Sequence, residues 1–307
     1  MRLPDLIGNA RLKRNLAPRL RSAFPTAVSI DGDPGIGKRT AARCMAQALL
    51  CREENGPCGV CGPCRRFLAG SHPDYLLFNP ESRDIKVEDV RELRTRSFIK
   101  PSEAPYKVFV ICAADRMNPP AQNALLKVLE EPASSVFILL CSNRESLLQT
   151  VRSRCIHFRM EPLSPEELRS ALKERAGGTP PQLQEAAIRD CGGSLGKALD
   201  MLQNGPTKAQ EAARSFADAL EGDELAVFEA CYALSSLSRD EYGSFCDEAC
   251  RVLLNDMKEN RKGAGALSVS EYLQKQKDSL VQNPSPTALS GALAAFCGSL
   301  AINTGGT

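Results

Sequence analysis

Residues 32–40 read GDPGIGKRT, and how this stretch is read decides the fold. Gly32, Gly37 and Lys38 satisfy G-x-x-x-x-G-K. In that loop backbone N–H groups cradle phosphates and the lysine reaches the terminal ones. The next position ordinarily supplies a Ser or Thr hydroxyl to Mg²⁺. Here it is Arg39, and a threonine follows one residue late as Thr40. The loop needs a strand before it and a helix after it, and the sequence offers both. Ala27-Val28-Ser29-Ile30 is a short apolar run, and Lys38–Leu50 places Ala and Leu at helical spacing without Gly or Pro.

Working outward, apolar runs recur at Tyr75–Phe78, Val108–Cys112 and Val136–Cys141, separated by helical patterns over Val87–Phe98 and Ala121–Glu131. Strands alternating with helices predict an α/β fold with a parallel sheet covered on both faces. Pro119 and Pro120 stand where a helix begins, and Pro132 stops it. Beyond Phe158 the strand signal fades. Ser164-Pro165-Glu166-Glu167 opens a helix with a capping box, and Gly192-Gly193 and Gly205-Pro206 punctuate the chain beyond that helix. Three parts are expected: an α/β domain over 1–160, a small helical domain over 161–205 and a helical C-terminal domain over 206–307.

The 307 residues carry a net charge of +2, with 43% hydrophobic and 25% charged residues. That balance suits a soluble globular chain and gives no strong electrostatic footprint of a dedicated nucleic-acid binder. Arg83, Lys86, Arg91, Arg94, Arg96 and Lys100 form a basic stretch, but Asp84, Glu88, Asp89 and Glu92 dilute it. It reads as a solvated helix face, with a DNA-tracking surface as the alternative. The longest purely apolar run, Val108–Ala114, is far short of a membrane span. The opening MRLPDLIGNARLKRNL has no apolar core of signal-peptide length. The 13 cysteines are therefore expected as reduced thiols in a cytoplasmic protein.

Four of those cysteines cluster. Cys51, Cys58, Cys61 and Cys64 stand in CREENGPCGVCGPC, spaced C-x6-C-x2-C-x2-C among glycines and prolines that turn the chain sharply. Four thiolates in such a loop suit one tetrahedral Zn²⁺, and a closed four-Cys site leaves no open position, so the metal is structural. An iron–sulfur cluster is the minor rival. Cys44 reads as packing against the sheet, and His72 as part of a turn. Cys246 and Cys250, at i and i+4, read as buried small hydrophobes, and Cys155 and His157 as packing.

A cysteine knuckle directly after a phosphate-loop helix, then Gly70-Ser71-His72-Pro73-Asp74, NALLKVLEEP (Asn123–Pro132) and Ser153-Arg154-Cys155, resembles the clamp-loader AAA+ subunits of bacterial DNA polymerase III. The motifs keep the family's order over about residues 1–205. The resemblance implies a RecA-like P-loop AAA+ domain with an inserted zinc knuckle at 51–64, a small helical lid and an all-helical C-terminal collar. It further implies partners: ATPase gamma/tau-like and delta-like subunits, and through the assembly a sliding clamp and primed DNA.

The departures from the family's pattern bear on chemistry. Where the family's second-motif strand ends in Asp-Glu, this chain has Cys112-Ala113, and neither side chain can hold Mg²⁺ or activate water at neutral pH. Asp115 is either a late substitute or a turn residue before Pro119. Where the family's lid carries Gly-Ser-Leu-Arg, this chain reads Gly193-Ser194-Leu195-Gly196, with Lys197 next. Ser142 and Asn143 keep the polar character of the family's sensor position. These substitutions predict a loop that can still hold a nucleotide through Gly32, Gly37, Lys38 and Thr40 without turning it over. The family's SRC arginine reaches a neighbour's γ-phosphate, which makes Arg154 the expected arginine finger in trans. An Arg paired within its own subunit is the plainer alternative. Two rival functions stay open at this point: an active ATPase subunit of the same family using Thr40 and Asp115, and a zinc-dependent nucleic-acid-binding adaptor.

Overall fold

The computed structural model describes residues 5–21, 24–53, 56–79, 81–130, 134–258 and 265–304. They divide into two compact units, 1–177 with 193–197, and 178–192 with 198–307.

The first unit is built on strands β1 (Ala27–Asp31), β2 (Tyr75–Phe78), β3 (Lys107–Ile111), β4 (Ser135–Cys141) and β5 (Ile156–Arg159), in the order β2-β3-β4-β1-β5. Every pairing is parallel, so all the strands end at the same edge, where α/β sheets carry their ligands. The apolar runs explain why both faces are covered. Successive strand side chains alternate between faces. Val28, Ile30, Val108, Val110, Val136, Ile138 and Leu140 pack on one side with α1 (Ala10–Arg21) and α2 (Lys38–Leu50). Phe109, Ile111, Phe137 and Leu139 pack on the other with α4 (Val87–Ser97) and α5 (Pro119–Glu130).

The strand spans follow the apolar runs to within a residue, and the parallel α/β expectation holds. Helix α4 starts as its charge pattern implies, with the Asp89 carboxylate accepting the Lys86 N–H at 2.8 Å. Glu131 and Pro132, read as the end of α5, lie outside the described residues. The edge strand β5 follows α6 (Gln149–Arg152), and α7 (Pro165–Arg175) opens on the predicted box. There Ser164 Oγ accepts the Glu167 N–H at 3.2 Å and Glu167 accepts the Ser164 N–H at 2.9 Å.

The second unit is helical in its described residues: α8 (Pro181–Asp190), most of α9 (Leu195–Asn204), α10 (Lys208–Ala219), α11 (Glu224–Ala233), α12 (Arg239–Lys258), α13 (Gly265–Ser279) and α14 (Pro286–Thr304). Its core gathers Phe216, Tyr242, Phe245, Leu253, Leu273 and Leu293, together with Cys231, Cys246 and Cys297. A polar chain running through it is satisfied: Tyr242 Oη donates to Gln276 Oε1 at 2.9 Å, and Gln276 Nε2 to the Leu289 carbonyl at 2.8 Å. Cys250 packs against this core with its thiol toward the Ser270 carbonyl, as a small hydrophobe would. No helix among the described residues is long and apolar enough to cross a membrane.

Candidate functional site

The phosphate loop leaves β1 at Gly32 and enters α2 at Lys38. Gly35 and Gly37 have φ of 77° and 103°, the left-handed region that favours glycine. Lys38 folds back over its own loop. Its ammonium donates to the Gly32 carbonyl, and to the Asp33 carbonyl at 2.9 Å. Burial pushes the Lys38 pKa down, and the charges of Asp115, Cys141, Asp33 and Asp31 oppose that shift. Thr40 is half-buried one residue along α2 from Arg39, about 100° further around the helix.

Arg39 occupies the hydroxyl position and points across the strand ends. Its Nη2 donates to Ser82 Oγ at 3.1 Å. Cys112, 1% exposed, directly follows β3. Burial pushes its pKa up and the Arg39 charge draws it back in part. Ala113 then takes a left-handed conformation, φ 50°, so the chain turns at the point where the family has its carboxylates. Asp115 lies beyond that turn, and its Oδ2 accepts the N–H groups of Ser142 at 2.9 Å and Asn143 at 3.1 Å. It ties the end of β3 to the end of β4, which fits the turn-residue alternative for this position.

The segment after Gly192 closes on the loop. The Gly196 N–H donates to the Gly35 carbonyl at 3.2 Å, and the Gly193 carbonyl accepts the Leu163 N–H at 2.9 Å. A Cβ at Gly196 would stand 2.9 Å from the Gly35 oxygen, and one at Gly35 would stand 2.4 Å from Ser194 Oγ. Neither position has room for a side chain. Gly196 is thus more than a missing arginine, because glycine is what lets this segment touch the loop.

In the knuckle, Cys51, Cys58, Cys61 and Cys64 bring their sulfurs within 4.8 Å of one another. Cys51–Cys61 and Cys58–Cys64 are each 4.0 Å apart. A tetrahedron of 2.3 Å Zn–S bonds has S···S edges of about 3.8 Å, so the four thiols fit such an ion. Backbone donors serve the sulfurs: the N–H of Cys61 lies 3.3 Å from the Cys58 sulfur, and that of Cys58 lies 3.5 Å from the Cys51 sulfur. The N–H groups of Cys61 and Val60 hold the Cys58 thiol down to about 6, while burial lifts that of Cys64 to about 12. Gly56 sits so close that a Cβ there would meet the Cys51 sulfur at 2.7 Å.

The knuckle is anchored through α3 (Gly62–Leu68). Arg66 pairs with Glu103, and Arg52 donates to the Glu103 carbonyl at 3.2 and 3.3 Å. The same loop wraps a buried carboxylate: Asp74 accepts the N–H groups of Ser102, Glu103 and Ala104 at 2.7, 2.8 and 3.1 Å. His72, expected in a turn, is buried there and accepts the Asp74 N–H on Nδ1 at 3.0 Å. Sequence reasoning had no signal for this nest, because its donors lie 28 to 30 residues along the chain from Asp74.

Arg154 follows α6, at the far end of α5. Its Nη2 pairs with Glu130 at 2.6 Å, and its Nη1 donates to the Thr150 carbonyl at 3.0 Å. Its side chain is 37% exposed. The plainer alternative, an intrasubunit ion pair, is what the chain alone adopts, and partial exposure leaves the guanidinium accessible. His157 was expected only to pack, yet it bridges strands: Nδ1 faces Ser29 Oγ at 3.4 Å and Nε2 faces Asp31 at 3.0 Å. In the basic stretch, Arg83 pairs with Asp89 and Arg96 with Glu92, so two of its four acids are engaged, in line with a solvated face.

The family model described as "DNA polymerase III, delta subunit" matches residues 10–164. DNA polymerase III subunit delta' of Pseudomonas aeruginosa is 29% identical over 277 residues, covering 83% of this chain and 79% of that protein. Subunit delta' of Bacillus subtilis is 34% identical over 151 residues, covering 48% of this chain and 46% of that protein. Subunit gamma of Buchnera aphidicola is 34% identical over 186 residues, covering 57% and 50%. The chain thus spans half or less of the last two relatives. Among solved structures, a gamma subunit-related protein of Thermotoga maritima superposes with TM-score 0.52 at 19% identity, covering 92% of this chain and 97% of that one. At that identity the likeness shows the fold alone, and it is the same P-loop α/β fold.

Proposed function

The chain belongs to the delta-prime type of DNA polymerase III clamp-loader subunit, and we propose that it serves as a non-hydrolysing end-piece of the loader. The observation that carries this reading is that Arg39 stands at the hydroxyl position with its guanidinium turned to Ser82 Oγ at 3.1 Å, and Cys112 stands buried at the end of the facing strand. The two positions that would hold Mg²⁺ are filled by residues that cannot, since neither a guanidinium nor a buried thiol offers the ion an oxygen ligand. Ala113 removes the water-activating carboxylate as well. Asp115, the residue the active-ATPase alternative needs, is committed to two backbone N–H groups.

In the proposed assembly Arg154 leaves Glu130 and extends to the γ-phosphate of a neighbouring gamma/tau-like subunit. There a guanidinium stabilises transition-state charge, an effect worth roughly 10³–10⁵ in other nucleotidases. The four cysteines hold a structural Zn²⁺. The domain over 1–160 and the lid over 161–205 present the site, and the region over 206–307 joins a collar. With a delta-like subunit the ring opens a sliding clamp and places it on primed DNA in the cytoplasm.

The test is a loader reconstituted with gamma-type subunits, clamp and primed DNA. Arg154→Ala is expected to abolish turnover at the adjoining site and impair loading without preventing assembly. Arg154→Lys should not rescue it, because an ammonium cannot reproduce the guanidinium fork. Full turnover and loading by Arg154→Ala would remove the finger role.

A further inference from the structure

The Arg154 guanidinium is held from two sides by its own chain. Nη2 pairs with the Glu130 carboxylate at 2.6 Å, and Nη1 donates to the Thr150 carbonyl at 3.0 Å. These bonds take two of the five N–H donors of the fork. The elements that carry the pair are themselves fixed to each other. Gln122, buried in α5, accepts the Leu148 N–H at the head of α6 at 2.6 Å and donates to the Ser146 carbonyl at 3.0 Å. Glu130 ends the same helix, so its place beside Arg154 is set by the packing of α5 on α6. Arg152 does not compete for Glu130, because it pairs with Glu145.

A guanidinium bound to a carboxylate has its charge largely compensated. To reach a phosphate on another subunit, Nη2 must exchange one anion for another. A terminal phosphate offers more charge and more acceptor oxygens than a carboxylate. A neighbour holding a diphosphate has no group at that place, and Arg154 then stays with Glu130. The pair also scales the affinity, because only chains with a released guanidinium can make the contact. For a partly exposed ion pair that factor is about two- to fivefold.

We infer that Glu130 is a positioning residue for Arg154: it holds the guanidinium on α6 until a neighbour's terminal phosphate displaces it, and takes it back once that phosphate has gone. That Arg154 meets a phosphate at all rests on the finger role proposed above. The restraint by Glu130 does not.

The test uses Glu130→Gln, which keeps the size of the side chain and removes its charge. In the full chain alone, phenylglyoxal modification of Arg154, followed by peptide mass, should be about two- to fivefold faster in the variant. Modification of Arg152 and the melting temperature should not change. A purified gamma-type subunit is then loaded with ATPγS or with ADP, and its affinity for each chain is measured. Wild type should prefer the ATPγS state, and Arg154→Ala should bring the two states level. Glu130→Gln should bind the ATPγS state about two- to fivefold more tightly and the ADP state as wild type does. A purely structural role for Glu130 would weaken both states together. Glu130→Asp, one methylene short, should fall between wild type and Glu130→Gln in both measurements. Equal modification of Arg154 in wild type and Glu130→Gln overturns the restraint. Faster modification with ATPγS-state binding unchanged or weakened overturns control of the contact by Glu130. Wild type binding the two states equally overturns the finger reading itself, and faster modification would still support the restraint.

Discussion

Arg39 faces Cys112 across the end of the sheet, its guanidinium charge opposing the burial that raises the thiol's pKa. One stands where a phosphate loop holds its metal-binding hydroxyl, the other where the facing strand holds its metal-binding carboxylate. On the end-piece proposal both sides of the metal site are replaced together, and reverting one side should not restore catalysis. Steady-state Mg-ATP hydrolysis by the isolated chain is expected to equal that of Lys38→Ala, and Arg39→Thr should hydrolyse no faster. Turnover by wild type that Lys38→Ala abolishes would show a working site and sink the end-piece proposal.

Gly196 touches Gly35 closely enough that a methyl group would collide with the loop's oxygen. Gly196→Ala should force the segment off the loop, costing stability of about 1–2 kcal/mol. If this contact and the back-folded Lys38 hold the loop shut, opening it raises the fraction competent to bind. Affinity for ADP should then rise by about tenfold, a difference worth 1.4 kcal/mol. Because the Mg²⁺ ligands are absent, EDTA should change this little. Calorimetric titration decides the matter, and an affinity unchanged by Gly196→Ala would mean that the contact does not gate the loop.

The strands and the knuckle were legible because their signals are local. Buried parallel strands are short apolar runs, and metal ligands declare themselves by residue type and spacing. What escaped was non-local. Glu130 becomes the partner of Arg154 only once α5 and α6 are folded together, and the donors to Asp74 come from a loop on the far side of α4. Gly196 escaped for a different reason. Compared with the family's pattern it registers as a lost arginine, and only the geometry shows that glycine is required there. His157 looked like an apolar-strand filler because its bridge to Ser29 and Asp31 depends on β5 pairing with β1.

The spacing of the four sulfurs predicts one tightly held Zn²⁺ per chain by metal analysis. Cys58→Ser and Cys61→Ser should each lose it and melt at lower temperature, since binding free energy at a structural site is folding free energy. The damage should also travel. Arg52 and Arg66 hold Glu103 from the knuckle side, so amide exchange at Ser102–Ala104 should quicken when the metal is removed. A metal-free chain with unchanged melting and exchange would show that the cluster is not structural.

His72 and Asp74 make stability depend on pH with a definite sign. Burial lowers the His72 pKa below 6.5 against the opposing pull of Asp74. For Asp74 burial pushes upward, but the N–H groups of Ser102, Glu103 and Ala104 outweigh it and hold the carboxyl below 3.8. In each case the unfolded chain takes up the proton first. The stability is complete above the unfolded value and is lost as pH falls toward the folded one. Urea midpoints should therefore decline as pH drops below about 6.5, and again below the ordinary Asp range. His72→Asn keeps an acceptor for the Asp74 N–H but cannot titrate, so it should flatten the first decline. Asp74→Asn should cost about 2–3 kcal/mol at pH 7, from weakened bonds to a charged acceptor, and approach wild type only in strong acid. An equally steep decline for His72→Asn between pH 7.5 and 5 would assign the acid sensitivity to another group, with the bridging His157 the next to substitute.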